Sequence, residues 1–238
     1  MFFITGHGRS GTVFLADLLG KSENGHVFHE SPFLDQDAFV EAFKERRELS
    51  QERLNLIKTR REQQVNLVYG EVNGYLRYYI SPLLKLTPQI YHLVRDGKDV
   101  IRSMMNRNSA SFTVHDSNRT QFIYPYGDDP YVSEWSNMDR FERLCWYWQH
   151  GIMEVCNYKI PILHFEKILV DYDYLTIFLN SVGLDLPFEV WNYERRILKN
   201  ETPRHNRKFP EYLNWSNKQK ESFKRICGKS MEIIGYVI

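Results

Sequence analysis

Phe2-Phe3-Ile4-Thr5-Gly6-His7-Gly8-Arg9-Ser10-Gly11-Thr12-Val13-Phe14-Leu15 opens the chain directly after Met1, and its reading decides the fold. Residues 2–5 form a short apolar run suited to a strand buried on both faces. Residues 6–12 then bring three glycines, one arginine and two hydroxyls into seven positions. From Val13 the pattern turns helical, with Phe14, Leu15, Leu18 and Leu19 on one side. A strand, a glycine-rich turn and a helix aim backbone N–H groups and the positive end of a helix dipole at an anion. The stretch therefore reads as a phosphate-binding loop.

The loop of nucleotide hydrolases requires G-x-x-x-x-G-K-[ST]. Gly6 and Gly11 keep its glycine spacing, but Thr12 stands where the lysine belongs, and the first lysine is Lys21. The cation lies inside the loop instead, at Arg9, directly before Ser10-Gly11-Thr12.

Working outward, short apolar runs alternate with helical patterns. Residues 26–30 read as a second strand, residues 65–69 as a third running into Gly70-Glu71-Val72-Asn73-Gly74, residues 90–94 as a fourth and residues 161–165 as a fifth. Residues 35–64 carry apolar positions at Phe39, Phe43, Leu49, Leu54 and Ile57, which fits an amphipathic helix in one or two pieces. Asp96 is placed to cap a helix running to Asn106. Further helices are expected at 139–156, 174–182 and 187–198, with a last one capped by Ser216. Residues 107–136 and 199–215 read as irregular. This alternation specifies a three-layer α/β fold, a mostly parallel central sheet of about five strands covered by helices on both faces. In such sheets ligands bind at the carboxyl ends of strands. The loop after strand one, Glu30 after two, Glu71 after three and Arg95 after four would then line one site.

At 238 residues, one domain spanning 1–238 is expected. A formal net charge of +1 argues against a general nucleic-acid binder. The three cysteines have no metal-ligand spacing, and no apolar run approaches a membrane span. With the first strand beginning at Phe2, a reduced, cytoplasmic setting is the expectation.

Val94-Arg95-Asp96-Gly97-Lys98-Asp99-Val100-Ile101-Arg102-Ser103 is the second motif. An arginine makes forked, charge-assisted contacts to phosphate oxygens, and a serine two helical turns on adds a hydroxyl. Arg9-Ser10-Gly11-Thr12 together with Arg95 and Ser103 resembles the two signatures of the sulfotransferases that use 3′-phosphoadenosine 5′-phosphosulfate (PAPS). Ile162-Leu163-His164-Phe165-Glu166-Lys167-Ile168-Leu169 and Trp215-Ser216 before the last helix extend the likeness over nearly the whole chain, most thinly between 109 and 137. Their fold is that of the P-loop-containing nucleotide hydrolases.

The resemblance implies in-line transfer of a sulfuryl group from PAPS to an acceptor hydroxyl, with no metal and no covalent intermediate. It implies that Arg9 and the amides of Ser10, Gly11, Thr12 and Val13 hold the 5′-phosphate, and that Arg95 and Ser103 hold the 3′-phosphate. Family members place the general base either as a histidine after the third strand or as a glutamate after the second. Residues 69–73 hold no histidine, whereas Glu30 lies twenty-one positions past Arg9 and suits the second group. Tyrosylprotein and bacterial carbohydrate sulfotransferases belong to that group. Glu71 is the alternative base or an acceptor-orienting group, and His29 is a further candidate. Neighbours on a strand face opposite ways, so His29 and Glu30 cannot both point into the site while the strand holds.

Two departures stand out. Val13 replaces a frequent second threonine, and a Pro203-Arg204-His205-Asn206-Arg207-Lys208 run stands where relatives are lysine- and glycine-rich. Arg207 or Lys208 is expected to cover the nucleotide. Tyr126, with Tyr124, Tyr131 and Trp135, is a candidate for stacking on a sugar or aromatic acceptor. Carbohydrate is the favoured acceptor. The rival readings are a kinase or nucleotide hydrolase using ATP and magnesium, and a non-catalytic nucleotide-phosphate binder.

Overall fold

A computed structural model describes residues 1–31, 36–44, 51–64, 66–107, 112–113, 120–197 and 208–238. They cluster into two compact units, Met1–Arg95 with Tyr158–Glu201 and Asp96–Asn157 with Thr202–Ile238.

The first unit is built on five parallel strands: β1 Phe2–Gly6, β2 Gly25–His29, β3 Val68–Val72, β4 Ile90–Val94 and β5 Ile162–His164. Their order is β2-β3-β1-β4-β5. Every residue of the central β1 is buried, which is why the opening run is continuously apolar rather than alternating. Phe2 and Ile4 face one side, packing with Leu15 and Leu18 of α1 (Thr12–Leu19) and with Phe178 and Leu179 of a later helix (Tyr172–Val182). Each such fully buried side chain contributes about 1.5–3 kcal/mol relative to exposure. Phe3 faces the other side, edge-on to Tyr69. There the helix Gln51–Glu62 lays Arg60 over Phe28 at 3.8 Å. The polar stretch expected as one or two helical pieces is thus two, Gln36–Lys44 and Gln51–Glu62. Helices cover both faces, as the alternation of elements required.

The third strand corrects the sequence reading. Expected at 65–69 with Gly70 as its end, it runs Val68–Val72, so Glu71 lies in the strand and not in the loop after it. Gly70 sits mid-strand opposite Phe2, and a Cβ there would meet the Phe2 ring at 2.2 Å. This glycine makes room for a neighbouring side chain; it does not end the strand. After β3 comes a 3-10 turn, Gly74–Tyr78, capped by the Asn73 side chain accepting from the Tyr75 amide, and then a short helix, Ile80–Leu84.

The second unit contains α5 (Gly97–Met105), α6 (Arg140–Cys156) and α10 (Asn217–Ile233), where α2 and α3 are Gln36–Lys44 and Gln51–Glu62, α4 is Ile80–Leu84, α7 is Phe165–Val170, α8 is Tyr172–Val182 and α9 is Phe188–Glu194. Asp96 caps α5 through the Lys98 amide, as expected. Capping boxes close the N-termini of α6 (Asp139 with Glu142) and α10 (Ser216 with Gln219). Trp148, Ile152, Phe223 and Met231 are buried in this unit, and a Cβ on Gly97 would touch the Trp148 ring at 2.9 Å. Among the described residues no helix is long and apolar enough to cross a membrane.

Candidate functional site

The loop leaves β1 at Gly6 and enters α1 at Thr12. Its backbone turns through two left-handed residues, Arg9 (φ 76°) and Gly11 (φ 94°). Glycine is required at position 11 for two reasons. The conformation disfavours a side chain, and a Cβ would fall 2.3 Å from the Phe165 ring at the start of α7. The α1 N-cap makes no side-chain hydrogen bond. The first N–H groups of any helix lack intrahelical acceptors, so this turn carries several donors suited to an anion. Ser10 is 1% exposed, and its Oγ has no hydrogen-bond partner among the described residues. Thr12 is buried, while Arg9 and Val13 are partly exposed.

Arg95 follows β4. Its guanidinium donates to the Arg9 carbonyl at 3.3 Å and lies 5.5 Å from the centroid of Phe165. One phenylalanine thus backs both the loop glycine and the arginine at the next strand end, which gives the 162–169 segment a physical role beside the loop.

At the end of β2 the backbone departs from the strand. Glu30 has φ 47°, a left-handed conformation rare outside glycine, although its amide still donates to the Val72 carbonyl at 3.2 Å. The strict alternation expected for His29 and Glu30 therefore does not apply, because the strand stops at His29. His29 Nε2 lies 3.9 Å from Glu30 Oε1 and 3.4 Å from Thr12 Oγ1. A methyl group built on Gly74 would lie 3.8 Å from both Glu30 Oε1 and the Gly8 nitrogen. The carboxylate thus stands beside the loop. Burial pushes its pKa above the ordinary value; the nearby His29 and Arg77 oppose the rise, and Glu71 adds to it. The Glu30 side chain is 38% exposed, so solvent tempers the shift.

Glu71 has a different situation. It is fully buried, and its oxygens accept from the Ser31 amide (2.9 Å), the Ser31 hydroxyl (2.5 Å), the Tyr69 hydroxyl (3.1 Å) and the Asn73 side chain (3.0 Å). Arg60 donates to the same Ser31 hydroxyl at 2.5 Å. These bonds commit the carboxylate to pinning the residue that follows Glu30.

Arg77 escaped the sequence reading. It is 1% exposed and donates to the carbonyls of Gly6 (2.8 Å) and Gly74 (2.6 Å), tying the start of the loop to the turn after β3. The signal was a lone cation inside the aromatic run Tyr75-Leu76-Arg77-Tyr78-Tyr79. The contact of Arg60 to Ser31 joins residues twenty-nine positions apart and has no signature in the order of residues.

Ser103, Tyr126 and Lys208 belong to the second unit. Ser103 is partly exposed on α5, Tyr126 is 44% exposed, and Lys208 is exposed. Tyr131 and Trp135 pack within this unit: the Tyr131 hydroxyl donates to the Arg225 carbonyl, and Trp135 stands edge-on to Trp146 at 5.0 Å. Arg207 and the rest of its basic run before Lys208 lie outside the described residues. Among the described residues no group of three or more His, Cys, Asp or Glu side chains could hold a metal ion.

No family model matches the chain, and no curated protein sequence does. Among solved structures it resembles the crystal structure of mouse sulfotransferase SULT7A1 complexed with PAP. The TM-score is 0.55 at 16% identity, over 97% of this chain and 83% of that one. A sulfotransferase from Alicyclobacillus acidocaldarius aligns with TM-score 0.47 and 13% identity, over 100% of this chain and 96% of that one. The chain has the sulfotransferase fold, an α/β architecture with a P-loop-like first turn.

Proposed function

We propose that this protein is a PAPS-dependent sulfotransferase that moves a sulfuryl group to an acceptor hydroxyl, with Glu30 as general base. The observation that carries the reading is the Glu30 carboxylate standing beside a phosphate-type loop, with a pKa raised by burial. The mouse sulfotransferase of like fold was crystallised with PAP, the nucleotide that remains after sulfuryl transfer, which supports the choice of donor.

In this reading the amides of Ser10, Gly11, Thr12 and Val13 and the Thr12 hydroxyl hold the 5′-phosphate, and Arg9 offsets the charge that grows on it. Arg95 is proposed to hold the 3′-phosphate. Ser103 shares its sequence motif and is proposed as a second ligand on that motif alone; Lys208 and Arg207 are proposed to cover the nucleotide. The acceptor oxygen attacks sulfur, its proton passes to Glu30, and the bond from sulfur to the 5′-phosphate oxygen breaks with its electron pair staying on the phosphate. Catalysis is then mostly positioning and charge stabilisation, as in phosphoryl transfer. Glu71, whose oxygens are occupied by protein donors, acts in this scheme as a support for the turn bearing Glu30. We favour a carbohydrate acceptor, with the exposed Tyr126 offered as a stacking surface.

Thermal shift with PAP against ATP plus magnesium tests the donor. The expected result is stabilisation by PAP, reduced for adenosine 5′-phosphate, with that 3′-phosphate preference abolished in Arg95→Ala. Preference for ATP with magnesium, or indifference to the 3′-phosphate, refutes the reading.

A further inference from the structure

His29 is the titratable side chain that touches both halves of the proposed chemistry. Its Nε2 is 3.4 Å from the hydroxyl of Thr12, in the first turn of α1, and 3.9 Å from the carboxylate of Glu30, in the turn after β2. Two neighbours in sequence face one place because Glu30 adopts φ 47°. A non-glycine residue costs about 1–2 kcal/mol in that conformation. Such strain persists where surrounding contacts over-determine it, and it clusters at functional sites. Here the contacts are those of Glu71 with Ser31, and of Arg60 with the same hydroxyl.

We propose that His29 is a positioning residue that joins the phosphate loop to the neighbourhood of the base, orienting the Thr12 hydroxyl toward the 5′-phosphate from a place beside the Glu30 carboxylate. This rests on the sulfuryl-transfer reading. A threonine hydroxyl has one hydrogen and two lone pairs. With Nε2–H of His29 donating to one lone pair, the hydroxyl hydrogen is left to donate to a phosphate oxygen. At 3.4 Å the two atoms stand just beyond the usual N–H···O range of about 2.7–3.2 Å, and an approach of a few tenths of an ångström brings them within it. In the transfer itself the acceptor proton neutralises Glu30 while negative charge grows on the leaving phosphate. The charge therefore passes from one side of the imidazole to the other, and His29 adjoins it at both ends of the step. The charged groups that act on Glu30 besides His29 are Glu71 on β3 and Arg77 after it, and Arg60 on α3 reaches the adjoining Ser31 hydroxyl.

His29 is partly exposed and is not one of the buried core residues, so the imidazole can be truncated without removing a core side chain. Isothermal titration of PAP into wild type, His29→Ala, His29→Gln, Thr12→Val and the His29→Ala/Thr12→Val double variant tests the link without needing the acceptor. Glutamine keeps an N–H donor at the reach of Nε2. The expected results are PAP binding at least fivefold weaker in His29→Ala and restored to within twofold in His29→Gln. The double variant should bind no more weakly than Thr12→Val alone. Equal affinity of His29→Ala and wild type, additive losses in the double variant, or no rescue by glutamine overturns the proposal. His29→Ser serves as a second truncation if the alanine variant melts below the assay temperature. Absence of PAP binding by wild type refutes the donor assignment itself, and this inference with it; binding by wild type without the His29 pattern refutes this inference alone.

Discussion

Gly11→Ala should damage both stability and nucleotide binding, for two separable reasons. Residue 11 has φ 94°, where an L-residue costs about 1–2 kcal/mol. The new methyl would also lie 2.3 Å from two carbons of the Phe165 ring, against an ordinary carbon contact of about 3.5–4.0 Å. The ring would have to retreat by more than an ångström. It is held edge-on to Phe14 at 5.8 Å and lies under the Arg95 guanidinium at 5.5 Å, so retreat disturbs packing and the strand-end cation together. Overpacking of this kind costs about 1–3 kcal/mol. The sum, about 2–5 kcal/mol, is a large part of a typical domain's 5–15 kcal/mol. Urea unfolding of wild type, Gly11→Ala, Phe165→Ala and the double variant separates the two costs. In the Phe165→Ala background the glycine substitution should cost only the backbone part, about 1–2 kcal/mol. Gly8→Ala is the control, since a Cβ there meets nothing within 4 Å. An equal cost of Gly11→Ala in both backgrounds, or a cost below about 0.5 kcal/mol in wild type, refutes the packing argument.

The raised pKa of Glu30 predicts that kcat/KM rises with pH along a limb lying above the usual carboxylate value of about 4.3, and that Glu30→Gln abolishes turnover while still binding PAP; full activity in that variant removes Glu30 as the base. His92 is fully buried, with its pKa pushed down to about 3 by burial and then by the charge of Arg77. Because the unfolded chain takes up this proton first, the histidine's stability contribution is present above pH 6.5 and is lost as pH falls toward 3. His92→Phe should therefore lose about 2 kcal/mol less than wild type between pH 7 and pH 5, measured by urea midpoints at both values; parallel losses would show that the folded protein takes up this proton as readily as the unfolded chain, so that burial does not depress the imidazole. Glu71→Ala strands donors from Ser31, Tyr69 and Asn73 and should cost about 3 kcal/mol or more by the same measurement, with a loss under 1 kcal/mol contradicting its role as a buried hub.

The fold was legible because it rests on local signals. Continuous apolar runs mark strands buried on both faces, glycine and hydroxyl clusters mark the turns between them, and Asp96 and Ser216 announce their helices through capping chemistry. Legibility failed at Gly70. In a sequence, a glycine that ends a strand and one that accommodates a neighbour's ring are identical, and only the pairing of β3 with β1 brings Phe2 against it. The same error put Glu71 in a loop, where it resembled a base, instead of in the strand, where it is a buried acceptor of four hydrogen bonds. Arg77 was missed because its partners are backbone carbonyls, one of them seventy-one positions away, and carbonyls carry no residue signature.

By itself, the order of residues determined the parallel α/β sheet, the phosphate-type loop at residues 6–12 and the arginine at the end of the fourth strand. These follow from hydrophobic periodicity and from residue types whose chemistry acts over a few neighbours. Tertiary structure alone decided which carboxylate stands free beside the loop. Glu30 and Glu71 are equally acidic on paper. The left-handed turn at Glu30 sets one beside His29 and the phosphate-type loop, and the pairing of β3 surrounds the other with Ser31, Tyr69 and Asn73. A carboxylate's role depends on which donors reach it, and those donors come from segments far apart in the chain.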